Sequence, residues 1–158
     1  METAEGVDGR SEAELQDLST DECHQLLATH EIGRLGVNAE HFPLIFPVNY
    51  TLDGEVIVIR THPGTMHTAA DQANVTFEVD EIDRRARTGW SVLVRGRAEA
   101  VTSTHRAELV DRIKATEVRP WAPGEYGHWL RLIPQQISGR RIVPGRLPPT
   151  FGEPASYL

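Results

Sequence analysis

Only one cysteine, Cys23, occurs in 158 residues, so the chain has no internal disulfide and a reducing cytoplasm is its expected setting. Lysine is as scarce: fifteen of the sixteen basic residues are arginine, and Lys114 is the exception. Positive charge as a whole is short. A formal net charge of -7 disfavours general affinity for nucleic acid or an anionic membrane surface. No apolar run approaches a membrane span, and the amino terminus is acidic and polar, unlike a signal peptide. No convincing nucleophile–base pair is present. The seven histidines (His24, His30, His41, His62, His67, His105, His128) lack zinc-like spacing, so no metal site is expected. Cys23 lies in an apolar helical stripe with Leu26 and Leu27 and reads as a small core residue, not a nucleophile.

What is present reads as one domain, large enough to bury roughly two-thirds of its unfolded surface. Residues 1–17 are acidic, rich in small side chains and without a period, and read as a flexible arm. Ser19-Thr20-Asp21-Glu22 then forms a capping box at the start of a helix. Ile32–Val37 reads as a first strand. Phe42–Tyr50 reads as a second, which Pro43 and Pro47 place near an edge or a bulge. Leu52-Asp53-Gly54 signals a hairpin into a third strand, Glu55–Thr61. A short helix over Thr65–Ala73 precedes a fourth strand at Val75–Val79. Asp80–Arg87, with its acidic Asp80, Glu81 and Asp83, reads as a solvated connection. Trp90–Val101 is the longest strand, with a bulge expected at Gly96. A helix over Thr102–Thr116, carrying Ala107, Leu109 and Ile113, leads to the rigid turn Pro120-Trp121-Ala122-Pro123-Gly124. Trp129–Ile137 is the last strand, and the proline-rich tail from Pro144 to Leu158 has no periodicity. Six strands with hairpin links and short helices predict a mainly β fold, an antiparallel barrel with peripheral helices, not a doubly wound sheet.

One segment points to function. The strand Val56-Ile57-Val58-Ile59 ends in Arg60-Thr61, turns at Pro63-Gly64 and opens a helix at Thr65-Met66-His67. A cation and hydroxyls at a strand end, beside the free N–H groups of a new helix, make a site for a phosphate-bearing cofactor. The same residues also suit an ordinary strand end and turn, and the segment alone leaves both readings open.

The order of motifs decides between them. Ser19-Thr20-Asp21-Glu22-Cys23, Gly33-Arg34-Leu35-Gly36-Val37 and Pro47-Val48-Asn49-Tyr50 are followed by Arg60-Thr61-His62-Pro63-Gly64-Thr65. Phe77-Glu78-Val79-Asp80, Gly89-Trp90-Ser91-Val92, Pro120-Trp121-Ala122-Pro123-Gly124 and Ile137-Ser138-Gly139-Arg140-Arg141 complete the series. Together they resemble the FMN-binding split-barrel family related to pyridoxamine 5′-phosphate oxidase. The resemblance covers about residues 18–142.

It implies a six-stranded antiparallel split β-barrel over 18–143 that forms a homodimer with FMN at the subunit interface. It places the phosphate at Arg60, Thr61, Thr65 and their neighbours Met66 and His67. Val48, Asn49 and Tyr50 approach the flavin ring, Ser91 its polar edge, and Trp121, with Arg131, comes from the second subunit. One departure stands out. Members usually carry Lys or Arg after the Thr or Ser of the turn, and here that position is Met66. His67, next to it, is mostly uncharged at neutral pH and substitutes as a cation only where an adjacent phosphate raises its pKa. The implied activity is an FMN-dependent oxidoreductase acting on a small organic substrate. Related barrels leave two alternatives: a deazaflavin-dependent reductase, or a non-catalytic flavin- or haem-binding protein. Pyridoxamine phosphate oxidation itself is not expected, because its carboxy-terminal arginine- and histidine-bearing motif has no match here.

Overall fold

The structure, a computed structural model, describes residues 13–145. In chain order the elements are β1 (Glu14–Asp17), α1 (Thr20–Leu27), β2 (Ile32–Ala39), β3 (Phe42–Asp53), β4 (Val56–Thr61) and α2 (Thr65–Ala70). They continue as β5 (Ala73–Asp83), β6 (Thr88–Ala100), α3 (Ala107–Lys114) and β7 (His128–Val143). The capping box forms as the sequence predicts. The Ser19 hydroxyl accepts the Glu22 N–H at 3.2 Å, and the Glu22 carboxylate accepts the Ser19 N–H at 2.8 Å. The helix it starts buries Cys23 and Leu27 against the sheet, and that burial raises the thiol pKa. Cys23 is therefore an inert core residue.

Every strand pairing is antiparallel. The order β7-β4-β3-β2-β5-β6 returns to β7 through the β6–β7 ladder, so six strands form a ring. The predicted split barrel is the fold. β1 stands outside the ring on β7, with Asp17 opposite Arg140, while β4 holds the other end of the same β7 edge, from Thr61–His128 to Ile57–Leu132.

Several boundaries differ from the sequence reading, among them the helix assigned to Thr102–Thr116, which is α3 at Ala107–Lys114, and the last strand, which runs on from Ile137 to Val143. The arm assigned to residues 1–17 does not extend to Glu14–Asp17, which is β1; residues 1–12 lie outside the described residues. All four β1 side chains are exposed, so no alternation marks it. The connection assigned to Asp80–Arg87 is strand as far as Asp83, pairing with Thr88–Ser91, and the turn is only Arg84–Arg87. Its charges point outward from a strand instead of marking a loop. Asp83 sets the turn by accepting the N–H groups of Arg85 and Ala86. Most of the proline-rich tail, from residue 146 onward, also lies outside the described residues.

Alternate residues of the ring fill its interior. Leu35, Tyr50, Ile57, Ile59, Phe77, Val92, Val94, Leu130 and Leu132 form the main core. Val58 faces the opposite way, into a smaller cluster with Ile113 and Val118 beneath α3. β4 is thus covered on both faces, which accounts for its uninterrupted apolar run. No helix among the described residues is long and apolar enough to cross a membrane.

The bulge expected at Gly96 is present as a register shift between Arg95 and Gly96. A Cβ there would lie 2.2 Å from the Ile133 carbonyl oxygen, a backbone atom fixed in the ladder. Gly96→Ala is expected to destabilise the barrel by about 1–3 kcal/mol through overpacking. The urea midpoint measures it, and an unchanged midpoint would show that β7 yields at this point.

Candidate functional site

The site begins where β3 and β4 part. Tyr50 donates its N–H to Glu31 on the β2 side, and backbone groups alternate along an antiparallel strand. Residues 43, 47 and 49 therefore direct their backbone away from β2, toward β4. Pro43 and Pro47 have no N–H to offer there. The β3–β4 ladder runs only from Asp53–Val56 to Tyr50–Ile59, and β4 itself turns away at Pro63. Beyond Ile59 the strand keeps only its β7 partner, pairing Arg60 with Trp129 and Thr61 with His128. The predicted edge is thus half right: β3 is central over one half and open over the other.

The fork encloses a cleft of about 400 Å³, within the size range of small-ligand sites. One wall is β3 from Phe46 to Asn49; the second is Arg60, Thr61 and His62 with Gly64–Met66 of the turn into α2; the third is Pro120, Ala122 and Tyr126. Arg60 supplies the cation. Its Nε donates to the Tyr126 carbonyl at 2.7 Å and its Nη1 to the Val118 carbonyl at 3.4 Å, with the guanidinium 5.1 Å above the Trp129 ring. Nη2 has no hydrogen-bond partner among the described residues. Thr61 is buried and its hydroxyl shares a 2.9 Å hydrogen bond with His67 Nδ1. Met66 is half-buried and packs on the main core, so it adds apolar wall and no charge. Asn49 Oδ1 accepts the Trp121 N–H at 3.0 Å.

Of the residues predicted for the site, Val48, Asn49, Arg60, Thr61, Thr65 and Met66 meet in this cleft. Four do not. Tyr50 points into the barrel, edge-on to Phe77 at 4.9 Å, and its hydroxyl donates to the Leu27 carbonyl, tying α1 to β3. Burial pushes its phenol pKa far up. His67 lies behind Thr61 with its ring 5.1 Å from that of His128. Burial and His128 lower its pKa, so it is neutral at pH 7 and does not replace the missing cation. Ser91 sits on the outer face of β6 between Asp80 and Arg140, lining a separate groove with Trp90. Trp121 is 68% exposed and rests beside Ala28–Ile32. Arg131 is also elsewhere, half-buried and held by Glu99 at 2.6 Å. The sequence reading missed Pro47, His62, Ala122 and Tyr126; the proline interruptions at 47 and 63 were the available signal. Among the described residues no group of three His, Cys, Asp or Glu side chains is placed to hold a metal.

The depressed His67 pKa has a definite sign. Above the ordinary value of 6.5 the ring is neutral in both folded and unfolded chains, and it contributes no pH dependence. Below that value the unfolded chain takes up a proton that the folded chain resists, so stability falls with pH. Urea midpoints measured from pH 7.5 to 5 are expected to fall less steeply in His67→Gln than in the parent, and equal slopes would assign the dependence to other groups.

The sequence and the fold have counterparts among known proteins. The sequence profile described as pyridoxamine 5′-phosphate oxidase matches residues 19–141. The chain is 31% identical over 140 residues to the uncharacterized protein Rv0080 of Mycobacterium tuberculosis, covering 85% of this chain and 90% of that one. A solved FAD-binding protein of Mycobacterium smegmatis is 33% identical with a TM-score of 0.61, covering 81% of this chain and 98% of its own. A candidate pyridoxamine 5′-phosphate oxidase of Corynebacterium glutamicum is 30% identical with a TM-score of 0.70, covering 84% and 96%. From the capping box of α1 to the arginine pair near the end of β7, this chain belongs to the pyridoxamine 5′-phosphate oxidase family.

Proposed function

We propose that this protein binds a flavin nucleotide in the β3–β4 fork and acts with it as an oxidoreductase on a small organic substrate. The observation that carries the reading is the composition of the cleft: one guanidinium, Arg60, and the Thr65 hydroxyl, with the apolar Val48 and Met66 in the same lining. That pairing suits a phosphate joined to a flat apolar ring. The similar Mycobacterium smegmatis protein binds FAD. Arg60 is the one arginine or lysine lining the cleft among the described residues, which suits one phosphate better than two and favours FMN over FAD for this chain. Bound flavin would supply the hydride chemistry. The protein's part is to anchor the phosphate at Arg60, to offer the Asn49 amide to a polar ring edge, and to exclude water with Val48 and Met66.

A homodimer completes the reading. Ser91 and Trp121 lie outside the cleft of their own copy, and a second copy is what would bring them to it. Phe42, Ile45 and Ile82 are each about two-thirds exposed, apolar side chains of the kind a second copy would cover. The buried thiol of Cys23 and the absence of any other cysteine fit a cytoplasmic setting.

The visible spectrum of the purified protein, titrated with FMN and then with FAD, tests the proposal. Saturation at one flavin per chain, with FMN the tighter, is expected. A Soret band, the single shorter-wavelength band of a deazaflavin, or no saturation would reject it. Met66→Lys restores a charge-assisted phosphate contact and is expected to tighten FMN roughly ten- to a hundred-fold. An unchanged dissociation constant would remove the phosphate from this turn. Arg60→Ala is expected to weaken FMN more than any single histidine substitution does, and a smaller loss would take Arg60 out of the site.

A further inference from the structure

We infer that Asn49, Arg60 and His62 are positioning residues that hold the segment 116–127 down as the third wall of the fork, and that ligand affinity depends on them through that wall. The segment joins α3 to β7 without helix or strand. Pro120 and Pro123 stiffen it, and Gly124, at φ +142°, adopts a backbone conformation that favours glycine. Its inner end is anchored by Val118, buried with Val58 and Ile113. Beyond that anchor, no backbone–backbone hydrogen bond holds residues 117–127 among the described residues. Three side chains stand in their place. Arg60 donates to the carbonyls of Val118 and Tyr126, near the two ends of the segment. Asn49 accepts the Trp121 N–H near its middle. His62 meets the Tyr126 ring edge-on at 5.4 Å.

All three holders line the cleft, and the segment returns Pro120, Ala122 and Tyr126 to it. The forked guanidinium satisfies two carbonyls that have no other donor among the described residues. Removing it frees the wall before any ligand is considered. A phosphate placed at Arg60 must share the guanidinium with those carbonyls, so occupancy of the cleft and order of the segment are coupled.

The affinity arm of the test rests on the flavin reading above; the exchange arm rests on the protein alone. Hydrogen–deuterium exchange is followed on the ligand-free protein, and riboflavin and FMN are titrated into the parent, Asn49→Ala, Arg60→Ala and Arg60→Lys. Asn49→Ala and Arg60→Ala are each expected to speed exchange of the Trp121 amide, the one amide of residues 117–127 with a hydrogen bond among the described residues, by about tenfold or more, while core amides of β6 stay protected. Riboflavin has no phosphate, yet Arg60→Ala is expected to weaken it by about tenfold, as it weakens FMN. Arg60→Lys keeps the charge but not the fork, and is expected to recover FMN more than riboflavin. Unchanged exchange in both alanine variants, or a loss confined to FMN with riboflavin binding intact, overturns the inference. If the parent binds neither flavin, the flavin reading fails and exchange alone decides the wall. If Arg60→Ala does not fold, Asn49→Ala, altered at an exposed contact, carries both arms.

Discussion

The structure turns on a missing hydrogen bond. At Pro47 the backbone of β3 faces β4 with no N–H, and β4 meets its own proline at Pro63. A continuous ladder would zip β3 and β4 together to their ends and leave a seamless barrel wall. The interruption leaves β4 held from the β7 side only, opposite Trp129 and His128. The gap between strands is the cleft. Unpaired sheet edges invite association with other chains, and here the open edge is covered by the 116–127 segment. The side chains nearest the fork therefore serve both the architecture and any ligand.

What lets the barrel bear this gap is the solidity of its surroundings. β4 is buried on both faces, by the main core and by the Val58, Ile113 and Val118 cluster. Tyr50, at the last β3–β4 pair before the fork, is anchored inward by Phe77 and by the Leu27 carbonyl. The fork therefore opens from a fixed point. A phenol buried this deeply keeps its proton, so the anchor persists across the neutral range.

Electrostatically the cleft is sparse. Its cation is Arg60; the neighbouring Met66 is neutral by nature, and His67 is neutral because burial and His128 oppose its protonation. A guanidinium is planar and forked, suited to paired acceptors. Much of that guanidinium is already engaged with protein carbonyls and with the Trp129 ring.

By itself the sequence determined the barrel. Period-two alternation in ring strands such as β2, β5 and β6, the capping box of α1, the Asp53-Gly54 hairpin and the Gly96 bulge are local signals, each set by side-chain direction or backbone freedom over a few residues. The fork was half legible: the prolines announced an edge, and Arg60-Thr61 with Thr65 marked side chains that the fold brings to one cleft. Tertiary structure decided what those residues face. Tyr50 follows Asn49 in the chain, yet successive side chains of a strand point to opposite faces, so one belongs to the core and the other to the cleft. His67 follows Met66, and the turn of α2 carries it behind Thr61 toward His128. The third wall comes from residues some sixty positions beyond Arg60, and nothing local to either segment records that they meet. Carbonyls of Val118 and Tyr126 carry no sequence signature, since every residue has one; only the folded chain decides which guanidinium they receive.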